Sequence, residues 1–290
     1  MNGIVNFLKP TGMTSSDAVV CIRKLLGIKR VGHMGTLDPD AGGVLPICLG
    51  NSTRLFDYTN TLPKEYIALI RLGVATDTMD ASGNIVSVSK VDVPQEKFKE
   101  ALEHYTGEIK QIPPMYSAVK YNGKKLYELA RKDIEVERCE RSVYIEKIEH
   151  IRQECSYEHL IKITCSKGTY IRTLCSDIGS YLGCGAYMHA LIRTKSAGLD
   201  IADSVTMDEL KRGRESFVLP PDSVLCHYER FDADVKDKKA LLNGVAVSIE
   251  SIDAGIKRVY IDGVFYGLAL YDGVKIKMKT LLRGENGQWL

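Results

Sequence analysis

At 290 residues, 44% hydrophobic and 26% charged, the chain has an ordinary globular composition, which excludes a disordered polymer and leaves length for a full core. No apolar run approaches the roughly eighteen residues of a membrane span, and Met1 to Pro10 lacks the basic start and long apolar stretch of a secretory signal, so a cytoplasmic protein with no membrane contact is expected. A net charge of +2 says little as a total, and eight cysteines without any C-x-x-C spacing read as free thiols, so neither a metal nor a cofactor is expected.

In chain order, the apolar start closes at the turn Lys9-Pro10-Thr11-Gly12. A helix follows, capped by Ser15 or Ser16, with Ala18, Val19, Ile22, Leu25 and Leu26 on its apolar face and Gly27 as its stop. Gly32 to Gly43 then holds four glycines in twelve positions, and Pro39 pushes Asp38 away from helical geometry. That stretch is a loop presenting an aspartate, anchored by the apolar strand Val44 to Leu49. A second strand, Tyr66 to Leu72, begins with its tyrosine, and the turn Thr76 to Gly83, whose aspartates read as turn formers, joins it to an antiparallel neighbour, Ile85 to Ser89.

Pro94 opens a helix with Phe98, Ala101, Leu102 and Tyr105 on one face, and Gly107 ends it. Ile112 to Lys125 has two prolines, two tyrosines and three lysines, too many for a buried strand, and reads as an exposed aromatic and basic excursion. Leu126 to Arg131 is a short helix, Ile134 to Ile151 one or two strands, and Leu160 to Cys165 another strand. A helix over Tyr170 to Leu182 places Arg172 near its N-terminus, where the macrodipole disfavours a cation, so a carboxylate or phosphate partner is needed. Gly185 to Ile201 contains a strand with Leu191 and Arg193, and Met207 to Leu210 a short helix. Pro220-Pro221 marks a boundary, after which short apolar runs (Ala240 to Gly244, Val259 to Ile261, Phe265 to Leu270, Val274 to Met278) punctuated by glycines suit a small β-barrel. Lys275, Lys277 and Lys279 alternate onto one face.

The residues alone thus offer a loop aspartate, a strand-opening tyrosine and an oddly placed arginine. Four ordered blocks add more: His33-Met34-Gly35-Thr36-Leu37-Asp38-Pro39 with Gly42-Gly43-Val44-Leu45-Pro46; Lys64-Glu65-Tyr66; Ile112-Pro113-Pro114-Met115-Tyr116-Ser117-Ala118-Val119-Lys120; and Ser166-Lys167-Gly168-Thr169-Tyr170-Ile171-Arg172-Thr173. Together they resemble the TruB family of tRNA pseudouridine synthases from about residue 3 to about residue 200, with a weaker C-terminal likeness to the small RNA-binding PUA domain.

The resemblance implies an α+β pseudouridine synthase fold, with a mixed, mainly antiparallel sheet flanked by helices and a PUA-like β-barrel. It divides the chain into a catalytic domain over 1–228, with a thumb-like insertion at about 112–132, and an RNA-binding domain over 229–290. It implies isomerisation of uridine 55 in the tRNA T-loop. Asp38 would attack C1′ or C6, or assist C2′ deprotonation; Arg172 would keep it ionised; Tyr66 would stack on the uracil and take part in proton transfer. Tyr170 and Leu191 would wall the pocket, His33 would fill the stack vacated by the flipped base, and Lys124 and Lys125 would lie on T-arm phosphates. The partner is tRNA alone, bound by a monomer with no obligatory protein. A guide-RNA-dependent synthase and a catalytically silent tRNA-binding chaperone are the alternatives.

Overall fold

The computed structural model describes residues 1–59, 61–117, 119–132, 134–249, 253–283 and 288, with the backbone alone at Lys125. The first half runs β1 (Gly3–Lys9), α1 (Ser15–Leu26), β2 (Val31–His33), β3 (Gly42–Leu49), α2 (Phe56–Thr59), β4 (Lys64–Leu72), β5 (Val74–Thr76), β6 (Ile85–Val88), α3 (Gln95–His104) and β7 (Gly107–Gln111). The hairpin β8 (Lys120–Tyr121) and β9 (Lys124–Lys125) leads to α4 (Leu126–Ala130), β10 (Arg141–Cys155), β11 (Glu158–Cys165), α5 (Ile171–Tyr181), β12 (Ala186–Ser196), β13 (Leu199–Asp200) and α6 (Met207–Gly213). Last come β14 (Glu229–Ala233), α7 (Lys238–Leu242), β15 (Val247–Ser248), β16 (Gly255–Ile261), β17 (Val264–Tyr271) and β18 (Lys275–Leu281).

Nine strands form one mixed sheet in the order β1-β3-β12-β4-β11-β10-β7, with β2 added on β3 and β13 on β12. All its pairings are antiparallel except the short parallel contact of β12 with β3. Alternate residues of β4 (Tyr66, Ala68, Ile70, Leu72) bury against α1, α3 and α5 through Ile22, Phe98 and Leu174. Strands β1 and β3 are buried on both faces, because Ile4, Val44 and Cys48 turn away from those helices to meet Tyr260, Phe265 and Leu268 of the C-terminal sheet. That sheet has five strands in the order β14-β16-β17-β18-β15. Arg54, which donates to the Leu281 carbonyl at 3.0 Å, and Tyr58, bonded to Thr280 at 2.8 Å, stitch the two sheets together.

Several local expectations change. Thr14, not Ser15 or Ser16, caps α1, in a capping box with Asp17, which frees Ser15 for another partner. Tyr66 is the third residue of β4 rather than its first. Strand β6 pairs with β5 instead of β4, since the chain breaks at Gly73 between them. Residues 134–140 lie outside any strand, so the strand expected from Ile134 begins only at Arg141. Lys238–Leu242 is helical where Ala240 to Gly244 reads as a strand. In the excursion, Pro113, Pro114 and Ser117 are buried, while Ile112, Tyr116 and the β8–β9 hairpin reach solvent. Lys275, Lys277 and Lys279 do share one exposed face of β18. All eight cysteines are free, and no helix among the described residues is long and apolar enough to cross a membrane.

Candidate active site

Residues 34–41 connect β2 to β3 and carry Asp38. Their backbone is gripped from three sides. The Ser15 hydroxyl, free of capping duty, accepts from the Leu37 N–H and donates to the Leu37 carbonyl, both at 2.9 Å. Lys9, buried at the end of β1, donates to the carbonyls of Pro10, Met13 and Pro39 at 2.8, 2.6 and 3.2 Å. Burial pulls its ammonium down to about 8, with Asp38 and Asp40 opposing. Arg193 of β12, wholly buried, donates to the carbonyls of Val44 (2.8 Å), Thr36 (3.3 Å) and Gly35 (3.1 Å). Gly43 makes that approach possible: at φ +108° a Cβ there would stand 2.2 Å from the Arg193 carbonyl oxygen.

Arg172, the second residue of α5, meets Asp38 in a two-pronged contact, Nε to Oδ2 at 3.0 Å and Nη2 to Oδ1 at 3.4 Å. The same guanidinium donates to Asp80 Oδ2 at 3.2 Å and to the Tyr116 carbonyl at 2.9 Å. The cation that the helix dipole disfavours is therefore balanced by two remote carboxylates. Arg172 is placed in turn by Gln111, buried at the end of β7, which clamps the peptide of Tyr170 immediately before α5 by accepting from its N–H (3.0 Å) and donating to its carbonyl (3.2 Å). Asp80 is no mere turn former: its other oxygen accepts from Thr78 and from the hydroxyl and N–H of Ser82, at 2.6, 2.6 and 3.1 Å.

Burial pushes the Asp38 carboxyl above its ordinary value, Arg172 pulls it down, and Asp80 and Asp40 add to the upward push. The net direction is upward, so Arg172 offsets only part of the burial, less than the sequence suggests. The Asp38 side chain nevertheless remains 37% exposed against 6% for Arg172, so a carboxylate aimed by a buried guanidinium faces an open mouth. Tyr66, opposite Arg193 in the β4–β12 ladder, is buried. Burial raises its phenol, Arg193 beside it pulls the other way, and Asp38 is close enough to add to the rise, so the hydroxyl is a protonated donor at neutral pH. Leu191, buried, shares the face of β12 that carries Arg193, two residues on.

Of the residues the sequence singles out, Asp38, Arg172 and Tyr66 converge from three distant segments, while Tyr170 stands immediately before α5, held by its peptide, and Leu191 lies on the strand face that carries Arg193. His33 sits at the far end of the same loop, as the last residue of β2, paired with Ile47. Lys124 is exposed on the β8–β9 hairpin, and the side chain of Lys125 lies outside the described residues. Lys9, Asp80, Gln111 and Arg193 escape sequence reasoning because a lysine before a proline, a turn aspartate, a strand-end glutamine and a strand arginine carry no local signal of burial. No cluster among the described residues could hold a metal ion.

Residues 23–171 match the family model of the TruB family pseudouridylate synthase N-terminal domain, and residues 172–225 that of the tRNA pseudouridylate synthase B C-terminal domain. A protein of Clostridium tetani described as tRNA pseudouridine synthase B is 44% identical over 289 residues, covering 97% of this chain and 100% of its own length. One of Clostridium kluyveri with the same description is 42% identical over 288 residues, covering 97% of this chain and 99% of its own. Among solved structures, a Cbf5-Nop10-Gar1 complex superposes with a TM-score of 0.76 at 25% identity, over 98% of this chain and 86% of that one. An H/ACA RNP bound to a substrate RNA containing 2′-deoxyuridine shares the fold, with a TM-score of 0.75 at 23% identity over 98% of this chain and 86% of that one.

Proposed function

The chain belongs to the TruB family of pseudouridylate synthases, which convert uridine in tRNA to pseudouridine, and from that premise we propose that its target is uridine 55 of the T-loop. The reaction breaks the C1′–N1 bond, turns the uracil and joins C5 to C1′. The C5 proton leaves to solvent and N1 gains one, so nothing else enters or departs. Asp38 attacks C1′ or C6, or removes the C2′ proton; all three begin from an ionised carboxylate held in a fixed direction. The observation that carries this reading is the two-pronged Arg172 contact, which aims a loop carboxylate while leaving it open to substrate.

The remaining residues take supporting roles. Tyr66 stacks on the uracil and offers its hydroxyl as a proton donor, with Tyr170 and Leu191 as walls. Flipping the base costs on the order of a few kcal/mol, and His33 entering the vacated stack returns roughly 1–3 kcal/mol. Residues 112–132 act as a thumb over the T-arm, its lysines on phosphates, and 229–290 as a PUA-like module for the acceptor end, separate from the catalytic domain 1–228. The enzyme works as a monomer, in the cytoplasm, without guide RNA or partner protein.

A T-arm RNA tritiated at uracil C5 tests this. The purified protein alone should release tritium to solvent, and Asp38→Asn should bind the RNA but release at least about 10⁴-fold more slowly. Release only when a guide RNA is added, or none at all, would overturn the proposal in favour of a guided enzyme or a silent binding protein.

A further inference from the structure

Lys64 opens β4 and shares the inward face of that strand with Tyr66, two residues on. Its ammonium packs over Gly35: a Cβ added there, at φ +95°, would stand 3.2 Å from Lys64 Nζ and 3.7 Å from Arg193 Nη1. Two cationic groups thus converge on the one glycine of residues 34–41, and Lys167, exposed just beyond Cys165, adds a third charge to the same neighbourhood. No ion pair among the described residues includes Lys64. Arg193 spends its donors on three neutral carbonyls. The adjacent carboxylate, Glu65, points to the opposite face of the sheet and is committed to Lys162 at 2.9 Å and Thr194 at 2.7 Å. Burial, then Arg193 and Lys167, draw the Lys64 ammonium down to about 8, with only Cys165 opposing. Burying cationic charge without a counter-anion is costly, so the bound state has a reason to supply one.

Gly35 lies between His33 and Asp38 in the loop. On the base-flipping reading, with His33 in the vacated stack and Asp38 on the flipped uridine, the sugar–phosphate chain joining the two would cross Gly35, where the missing side chain allows close approach. We propose that Lys64, backed by Arg193, is the receptor for the phosphodiester that links the flipped uridine to the rest of the T-loop. The inference rests on the base-flipping reading above. Lys64 holds the nucleotide in its extruded state through a charge-assisted hydrogen bond, while the thumb lysines contact phosphates of the stem.

The test is a cycle between protein and RNA. T-arm RNAs carry an uncharged methylphosphonate at the linkage 5′ or 3′ to the target uridine, with a 2′-deoxy sugar preceding the modified linkage in both test and control. Binding is read by fluorescence anisotropy for the wild type, Lys64→Met and Lys64→Gln. On unmodified RNA each substitution should weaken binding about ten- to hundredfold. One of the two methylphosphonates should cost the wild type a similar factor and cost the variants almost nothing more. If both linkages weaken wild type and variants by equal factors, the receptor assignment is wrong. Unfolding midpoints equal to wild type qualify a variant, and Gln serves where Met misfolds. Tritium release by the wild type from unmodified T-arm keeps the outcomes separate: its absence sinks the parent reading, while its presence with no coupling sinks only the role of Lys64.

Discussion

Two buried arginines flank the Asp38 loop, and they do opposite work. Arg172, on the α5 side, is surrounded by acids: it holds Asp38 and Asp80 and touches one carbonyl. Arg193, on the β12 side, makes no ion pair among the described residues and binds the carbonyls of Gly35, Thr36 and Val44. The first aims a reactive side chain and moves its acidity; the second holds the shape of the backbone from which that side chain projects. Identical side chains diverge because charge balance on one side comes from carboxylates and on the other is spread over neutral dipoles.

Substitution should separate the two roles. Arg172→Lys keeps the charge but loses the fork, so kcat for tritium release should fall about 10²–10³-fold, with thermal unfolding little changed. Arg193→Met leaves three buried carbonyls without donors and should lower stability by roughly 3 kcal/mol or more in urea unfolding. Equal losses of rate and stability in both variants would erase the distinction.

Smaller effects sharpen it through pH. Asp38 acts as the carboxylate and its value is raised, so kcat/KM should climb with pH through that raised value. Asp80→Asn removes one upward push and should move this acid limb to lower pH, while slowing turnover through a less firmly held Arg172. At the alkaline end, loss of the Lys64 proton as pH rises through about 8 should lower kcat/KM, and Lys64→Arg should abolish that decline. A decline that persists in Lys64→Arg belongs to Lys9, which burial also draws down to about 8.

Local chemistry made much of the architecture legible. Gly27 does end α1 in the left-handed conformation, at φ 66°, and the alternation of Tyr66, Ala68, Ile70 and Leu72 does mark a half-buried strand. Cap assignment failed at Thr14 because it and the two serines after it are equally good caps until Ser15 is seen bonded to Leu37. The Lys238–Leu242 helix was hidden because a short apolar run suits either period.

The sequence by itself determined the reactive loop, the aspartate in it, and the need of Arg172 for an anion, since glycine content, a following proline and a helix dipole are properties of neighbours in the chain. Only the tertiary structure decided which anions answer Arg172, that Lys9 and Arg193 hold the loop by its carbonyls, and that Lys64 stands over Gly35 with no carboxylate paired to it among the described residues. Asp80 is 92 residues from Arg172 and Arg193 is 158 from Gly35. Contacts at such separations are set by sheet order and by which face of a strand turns inward, and no local pattern encodes them.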